Sequence, residues 1–220
     1  MILTPPASMY SVCMNETESP PRGHRWFAAA YNLMMKAGEK RLRKTRQELL
    51  AGLQGDVLEI GAGTGLNFEH YPQGVRVVAI EPDPHMLKRA QRHLLELGRT
   101  DIDVRLASAE QLPVDDASFD TVVSTLVLCT VADVPRALNE IRRILRPGGS
   151  LVFVEHVRGT GTLGRLQDVI RPVWSWVGAG CQVNRRTEDS LVGAGFQVGI
   201  QQHTKAAPWM PVIIGAATPA

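Results

Sequence analysis

The sequence predicts an α/β protein built on a mostly parallel, doubly wound sheet. Between residues 56 and 155, short apolar runs rich in β-branched residues alternate with helical windows. Such runs are typical of strands buried on both faces, and strands that alternate with helices form right-handed βαβ units. A glycine-rich turn after the first strand completes the pattern and places a ligand site at the carboxyl edge of the sheet.

Five strands are predicted first, over Asp56–Ile60, Val75–Ile80, Ile102–Leu106, Phe119–Thr125 and Ser150–Glu155. Asp83 is a suitable N-cap with Pro84 at the first helical position, for a helix that ends at Gly98. Asp133 begins a second helix with one apolar face, and the Pro-Gly-Gly at residues 147–149 ends it with a tight turn.

The last quarter of the chain predicts helix over residues 161–193, interrupted around residues 178–180. Two final apolar runs, Phe196–Gln201 and Val212–Ala217, are expected to close the sheet as a hairpin-like pair. Pro208 and Pro211 are predicted to lie in the connection between these runs, where they obstruct no strand pairing.

Composition favours one ordinary globular domain. The chain has 220 residues, of which 44% are apolar and 21% are charged, and its net charge of +2 is too small to predict a nucleic-acid partner. It has no apolar run of eighteen residues or more and no signal peptide, so we expect a cytoplasmic protein with no transmembrane segment. The basic run Lys36–Arg46 is read as a solvated helix face, and peripheral membrane contact is not favoured. The oligomeric state stays open.

The three cysteines predict neither a disulfide framework nor a metal site. Cys13, Cys129 and Cys181 are odd in number and widely spaced, with no C-x-x-C pair. Cys129 is interpreted as a small buried apolar residue, and the role of Cys181 is left open.

The glycine-rich turn is the most informative segment. Its residues permit φ > 0, allow a ligand to approach the backbone, and direct N–H groups into the crevice. The residues assigned to cofactor binding here are Gly61, Ala62, Gly63 and Gly65.

The ligand predicted for this turn is S-adenosylmethionine rather than a dinucleotide. A dinucleotide fingerprint needs a glycine where Leu66 stands. Glu59, directly before the glycines, would repel a pyrophosphate but favours a ligand with an ammonium or sulfonium group.

The nucleoside half of the ligand is assigned to the ends of the next two strands. Glu81 follows the second strand and is expected to accept hydrogen bonds from both ribose hydroxyls. Ser108 and the backbone N–H of Ala109 are available to the adenine edge. The neighbouring residues Pro82, Met86 and Glu110 complete the cofactor-binding set on this side.

These motifs resemble the class I S-adenosylmethionine-dependent methyltransferases over roughly residues 50–160. The matching segments are E-I-G-A-G-T-G from Glu59, I-E-P-D-P from Ile80, S-A-E-Q-L-P from Ser108, F-D-T-V-V from Phe119 and L-R-P-G-G from Leu145. The resemblance implies a Rossmann-like, seven-stranded sheet in the order 3-2-1-4-5-7-6, with the last strand antiparallel and helices on both faces. Many relatives have Asp where Ser108 stands, so the resemblance does not carry that adenine contact.

A narrower resemblance, to the thiol S-methyltransferases, extends over almost all of the predicted domain. Its segments are G-T-G-L-N-F-E-H-Y-P from Gly63, T-L-V-L-C-T-V from Thr125, E-H-V from Glu155, G-C-Q-V-N-R-R-T from Gly180 and A-P-W-M-P-V-I-I-G from Ala207. It implies that the acceptor is a small molecule, a thiol being favoured, and that the cofactor is converted to S-adenosylhomocysteine.

The chain is accordingly divided into a tail and one domain. Residues 1–25 are predicted to be a mobile tail and residues 26–220 a single methyltransferase domain. Within the domain, residues 26–50 form an N-terminal helical cap, residues 51–160 the cofactor-binding core, and residues 161–220 the substrate-side helices and closing strands.

Methyl transfer mainly requires alignment and the exclusion of water, because the sulfonium already activates the methyl carbon. A thiol is about 3% thiolate at pH 7, so a dedicated base is optional. His156, after the fifth strand, is the candidate catalytic residue that takes the acceptor proton or orients the acceptor, with a structural role as the alternative.

Further residues are assigned around the methionyl end and the acceptor. Tyr31 and Asn67 are expected to cover the methionyl group, with core packing as the equal alternative for Tyr31. The resemblance implies that backbone carbonyls of Thr125 and Leu126 bind the methionyl ammonium. Trp174, Trp176 and Trp209 either line an apolar acceptor site or simply pack, and Arg185 either binds a substrate carboxylate or, more in keeping with its type, holds a loop.

Three alternatives to thiol methylation stay open from the residues alone. The acceptor is a lipid headgroup, a quinone or another hydroxyl or amine metabolite; the protein is a dinucleotide-dependent oxidoreductase, against which the missing glycine argues; or it binds the cofactor without catalysis.

Overall fold

A computed structural model describes residues 42–178 and 180–220. Its centre is one seven-stranded sheet in the order β3-β2-β1-β4-β5-β7-β6, which confirms the predicted topology. The strands are β1 Asp56–Ile60, β2 Arg76–Glu81, β3 Ile102–Leu106, β4 Phe119–Thr125, β5 Leu145–His156, β6 Phe196–Ala207 and β7 Met210–Pro219.

Helices flank the sheet on both sides. The first described helix, α1, covers residues 42–50. The others are α2 Pro84–Leu97, α3 Val134–Ile144, α4 Gly161–Val177 and α5 Thr187–Gly193, and a 3₁₀ turn covers Phe68–His70.

Strand direction matches the prediction. The pairs β1–β2, β1–β4, β2–β3 and β4–β5 are parallel, whereas β7 runs antiparallel to both β5 and β6. Parallel pairing brings the ends of β1, β2, β4 and β5 to one edge of the sheet. The polar side chains that follow these strands therefore meet in one crevice.

The two faces of the sheet bury separate apolar clusters. Because side chains alternate along a strand, Leu58 and Ile60 pack with α3 and α5, while Val57 packs on the opposite face with Leu50 of α1 and Ala90 of α2. The sheet is thus covered on both sides and rigidly holds the crevice at its carboxyl edge.

Local sequence signals set the helix boundaries. The Asp83 carboxylate accepts hydrogen bonds from the backbone N–H groups of His85 and Met86, and α2 ends at Gly98, whose φ is 65°. Asp133 caps α3 in the same way by accepting from the N–H of Arg136. Both helix starts were predicted from these residues.

The structure corrects three details. First, β5 begins at Leu145, so the Pro-Gly-Gly turn belongs to an irregular start of that strand. Second, the interruption predicted around residues 178–180 is longer than expected, because α4 ends at Val177 and α5 begins only at Thr187. Third, Pro211 lies inside β7 opposite Lys205, beside a register shift, and not in the connection. Proline is tolerated there because an irregular pair does not need its missing N–H.

The predicted tail, residues 1–25, and most of the predicted helical cap lie outside the described residues, as does Tyr31. Within residues 42–178 and 180–220, none of the helices combines the length and the apolar character needed to cross a bilayer.

Candidate active site

The turn after β1 combines two kinds of glycine. A Cβ on Gly61 would lie 2.6 Å from both methyl groups of Val127, so this glycine is required by packing. A Cβ on Gly63 would meet nothing within 4 Å, so Gly63 borders open space. Both have φ of 60°, and the N–H of Ala62 is held by the carbonyl of Ile80 at 2.9 Å. The turn is therefore packed against Val127 at Gly61 and open at Gly63, as a ligand crevice requires.

Glu81, at the end of β2, is tied to this turn. Its carboxylate accepts hydrogen bonds from the N–H groups of Gly63 at 2.7 Å and of Asp83 at 2.9 Å. Burial raises the pKa of Glu81, and these two hydrogen bonds oppose the shift. Each oxygen already has one backbone donor and keeps further lone pairs for hydroxyl groups, so the carboxylate is pre-oriented beside the open glycine.

Glu59 lies behind the turn in a buried polar network. Its two oxygens accept from Asn67 Nδ2 at 2.8 Å and from the Tyr71 hydroxyl at 2.9 Å, and Arg46 Nη1 donates to Asn67 Oδ1 at 2.7 Å. Burial raises the pKa of Glu59 to about 7, opposed by the hydrogen bonds and the Arg46 charge. Asn67 Nδ2 also lies 3.1 Å from Thr125 Oγ1, which links the network to the end of β4.

Arg46 and Tyr71 are the residues that sequence reasoning missed in this network. Arg46 ends the basic run that the sequence predicts to be a solvated helix face, yet it is buried, and Tyr71 lies in the segment from Gly63 that carries the narrower resemblance. Their contacts with Glu59 are not predicted, because α1 and the segment after the 3₁₀ turn reach Glu59 only in the folded chain. Their contacts change the interpretation of Glu59, whose charge is partly balanced by Arg46 and whose oxygens are occupied by protein donors.

On the predicted adenine side, Ser108, Ala109 and Glu110 follow β3. Ser108 Oγ donates a hydrogen bond to Glu110 Oε2. The other carboxylate oxygen, Glu110 Oε1, accepts a hydrogen bond from the N–H of Ala132 at 3.0 Å. Burial raises the pKa of Glu110, but these hydrogen bonds outweigh it and the net shift is downward. Glu110 thus ties this segment to the turn before α3, and Met86 lies buried in the first turn of α2.

The segment after β4 has an unusual backbone. Leu126 has φ of 59°, a left-handed conformation that costs a residue with a side chain about 1 to 2 kcal/mol. The N–H groups of Val127 and Leu128 donate to Glu155 Oε1 at 2.9 and 3.0 Å, as does the hydroxyl of Ser124 at 2.7 Å. One buried carboxylate therefore holds the strained turn beside the glycines.

His156, the predicted catalytic residue, lies at the end of β5 in contact with Cys181 and near Cys129. Its Nε2 is 3.0 Å from Cys181 Sγ, which also accepts from Trp174 Nε1 at 3.1 Å. Hydrogen bonds from Cys129 and His156 lower the pKa of Cys181 to about 4 although burial opposes this. Burial lowers the pKa of His156, but Cys181 outweighs it and the net shift is upward.

The cluster of Cys129, His156 and Cys181 was not predicted from the sequence. The ligand-type atoms of these three buried residues lie within 4.8 Å of one another. They are separated by 25 or more positions along the chain, so no spacing motif reveals them. They come together because β4 and β5 are neighbours and the segment after α4 folds back over their ends.

Two neighbouring groups have well-defined contacts. Arg185 Nη1 donates to the carbonyls of Leu128 and Val131, so Arg185 holds the segment after β4. Trp174 and Trp209 pack edge to face with centroids 4.6 Å apart. Trp176 is 85% exposed and takes no part in this pair.

A separate cavity of about 1020 Å³ lies at the opposite edge of the sheet. It is lined by Asp56, Arg76, Asp101, Phe119 and Arg146, among others, at the amino ends of the strands. Ligands of open α/β sheets bind at the carboxyl ends, so this cavity is not the candidate site.

The fold and the crevice are those of an S-adenosylmethionine-dependent methyltransferase, and comparisons with known proteins agree. Residues 58–153 match the family described as a methyltransferase domain. A possible histamine N-methyltransferase of Thermotoga maritima has a solved structure that superposes with a TM-score of 0.68 at 24% identity, covering 90% of this chain and all of that one. That likeness concerns the fold alone.

Several methyltransferases are similar to this chain in sequence. Human thiol S-methyltransferase TMT1B is 38% identical over 170 residues, which are 74% of this chain and 70% of that protein. Human thiol S-methyltransferase TMT1A is 37% identical over 82% of this chain and 76% of its own length. A phosphatidylethanolamine N-methyltransferase of Cereibacter sphaeroides is 34% identical over 66% of this chain and 72% of its own.

The chain therefore belongs to the methyltransferase family that includes TMT1A and TMT1B. It is an enzyme whose cofactor is S-adenosylmethionine.

Proposed function

We propose that this methyltransferase transfers the methyl group of S-adenosylmethionine to the sulfur of a small apolar thiol by in-line displacement. The observation that carries the proposal is the identity of 38% and 37% to two thiol S-methyltransferases, over 74% and 82% of this chain. A thiol acceptor also needs no dedicated general base, because part of it is already ionised at neutral pH.

Cofactor binding is proposed for the residues around the glycine turn. Glu81 would accept the ribose hydroxyls while the open backbone at Gly63 admits the ligand. Glu59 and Asn67 would act on the methionyl end through their buried network. The remaining members of the proposed set are Tyr31, Gly61, Ala62, Gly65, Pro82, Met86, Ser108, Ala109, Glu110, Thr125 and Leu126.

The acceptor is proposed to bind where β4 and β5 end. His156 and the two cysteines provide the polar groups there, and the Trp174–Trp209 pair provides apolar surface beside Cys181. We place the protein in the cytoplasm, since both described cysteines are free thiols.

A lipid headgroup is the second candidate acceptor, favoured by the 34% identity to the phosphatidylethanolamine N-methyltransferase. The two are distinguished by competition. Purified protein with labelled cofactor receives a panel of aliphatic and aromatic thiols together with phosphatidylethanolamine vesicles. We expect methyl thioethers to be the main labelled products. Labelled lipid without any labelled thioether would show that the acceptor is the lipid headgroup and not a thiol.

A further inference from the structure

The buried cluster of Cys129, His156 and Cys181 has the composition of a metal centre. Two cysteine sulfurs and one imidazole nitrogen are the ligand set of catalytic zinc sites that keep one coordination position for substrate. Bound to one tetrahedral zinc ion, such donors lie about 3.5 to 3.8 Å apart. The three side chains already have their ligand-type atoms within 4.8 Å of one another, so small rotations suffice.

The backbone holds the three side chains in place. The N–H of Gln182 donates to the carbonyl of Cys129 at 2.8 Å, which fixes the two cysteine-bearing segments side by side. His156 is held by the pairing of β5 with β7, opposite Val212. Sites formed on elements fixed in this way are pre-organised for a ligand.

The surroundings suit a dication. Two thiolates in a buried site need positive charge, and a divalent ion bound to both gives a neutral centre. Glu155 and Arg185 place one charge of each sign near Cys129. The indole N–H of Trp174 donates to Cys181 Sγ, a contact typical of the groups that orient metal ligands.

We propose that Cys129, His156 and Cys181 bind one zinc ion, and that its remaining position takes the sulfur of the acceptor thiol. This inference rests on the proposed function, and it explains how a thiol is held as thiolate near neutral pH. The thiol loses its proton to solvent on binding the metal. Its sulfur then forms a bond to the methyl carbon while the bond from that carbon to the cofactor sulfur breaks, which leaves S-adenosylhomocysteine and a methyl thioether.

The test begins with metal binding to the full chain, measured without reference to activity. Protein freed of metal by a chelator is titrated with Zn²⁺ and with Co²⁺, whose absorption reports thiolate ligands and tetrahedral geometry. We expect one ion per chain. Cys181→Ser, Cys129→Ser and His156→Gln should each weaken binding at least about tenfold, while His203→Gln, an exposed histidine on β6, should not.

Two tryptophan variants, one at Trp174 and a matched control at Trp176, keep the test valid if a ligand variant fails to fold. Trp174→Phe removes the N–H that contacts Cys181 and should weaken metal binding by about tenfold, whereas Trp176→Phe, which changes an exposed side chain, should leave it unchanged. Binding of less than one tenth of an ion per chain, or binding that no ligand variant alters, would overturn the proposal.

The role of the acceptor is tested by adding a thiol to the Co²⁺ protein. We expect the thiolate charge-transfer absorption to change. An unchanged spectrum would show that the acceptor thiol does not bind the metal. Methylation of thiols by metal-free protein would overturn the metal proposal and leave the proposed function standing. Metal binding with no thiol methylation by the Zn²⁺ protein would overturn the proposed function and, with it, the role of the metal in catalysis.

Discussion

At the scale of single residues, Glu81 is the group on which we expect cofactor affinity to depend most directly. Glu81→Ala removes a carboxylate that holds Gly63 and is proposed to accept the ribose hydroxyls. Hydrogen bonds to a charged group contribute roughly 1.5 to 3 kcal/mol, so affinity for S-adenosylhomocysteine should fall about 10- to 150-fold by calorimetry. Glu96→Ala, on the exposed side of α2, is the control; equal affinities in the two variants would refute the assignment of Glu81.

Glu59 makes the stability of the protein depend on pH. Because its pKa in the folded state is raised to about 7 from 4.5, the folded state favours the protonated acid. The stabilisation is complete below the unfolded pKa and is lost as pH rises towards 7, by up to about 3 kcal/mol.

Glu59→Gln tests this pH dependence, because the amide resembles the protonated acid at every pH. Urea unfolding should give nearly equal stabilities for the variant and the natural protein at pH 5, and a more stable variant at pH 8. The exposed Glu96→Gln should follow the natural protein throughout. Parallel stability profiles for Glu59→Gln and the natural protein would contradict the raised pKa.

At the scale of elements, the glycine turn separates packing from ligand access. Gly61→Ala and Gly63→Ala share the same backbone strain, of about 1 to 2 kcal/mol, since both have φ of 60°. Only Gly61→Ala also forces a methyl group against Val127, which adds about 1 to 3 kcal/mol. We therefore expect Gly61→Ala to be the less stable variant in urea unfolding.

Cofactor affinity, measured on the folded fraction of each variant, should show the opposite order, with Gly63→Ala affected more than Gly61→Ala. The methyl group of Gly63→Ala enters the open crevice, so affinity for S-adenosylhomocysteine should fall at least about tenfold. Gly148→Ala is the matched control, because its φ of 83° imposes similar strain and a Cβ there also meets nothing within 4 Å. Equal affinities for Gly63→Ala and Gly148→Ala would show that Gly63 does not border the cofactor.

At the scale of the whole molecule, local patterns predict the fold well because each element carries its own signal. The strands Asp56–Ile60, Ile102–Leu106 and Phe119–Thr125 have the predicted bounds, since turn residues flank short apolar runs. Caps at Asp83 and Asp133 fix the two helix starts. The irregular start of β5 and the position of Pro211 escape prediction because tertiary pairing, and not local preference, sets them.

In the candidate site, too, some residues are predictable from local motifs and others only from tertiary contacts. Glu59, Glu81 and the glycines are assigned from the sequence because their motifs indicate a ligand. The roles of Arg46, Tyr71 and the cluster around His156 depend instead on contacts that form only in the folded chain. The sequence predicts no metal site, because no spacing motif links Cys129 and Cys181. Their proximity follows from the strand order, which brings the ends of β4 and β5 side by side.

The most direct test of the central claim follows a deuterated methyl group. The purified enzyme is incubated with S-adenosylmethionine that carries a trideuterated methyl group and with an apolar thiol, and the products are measured by mass spectrometry. We predict a trideuteromethyl thioether formed in equal amount to S-adenosylhomocysteine, and little of either with Glu81→Ala. Label on nitrogen, oxygen or carbon of another acceptor, with none on sulfur, would contradict the account.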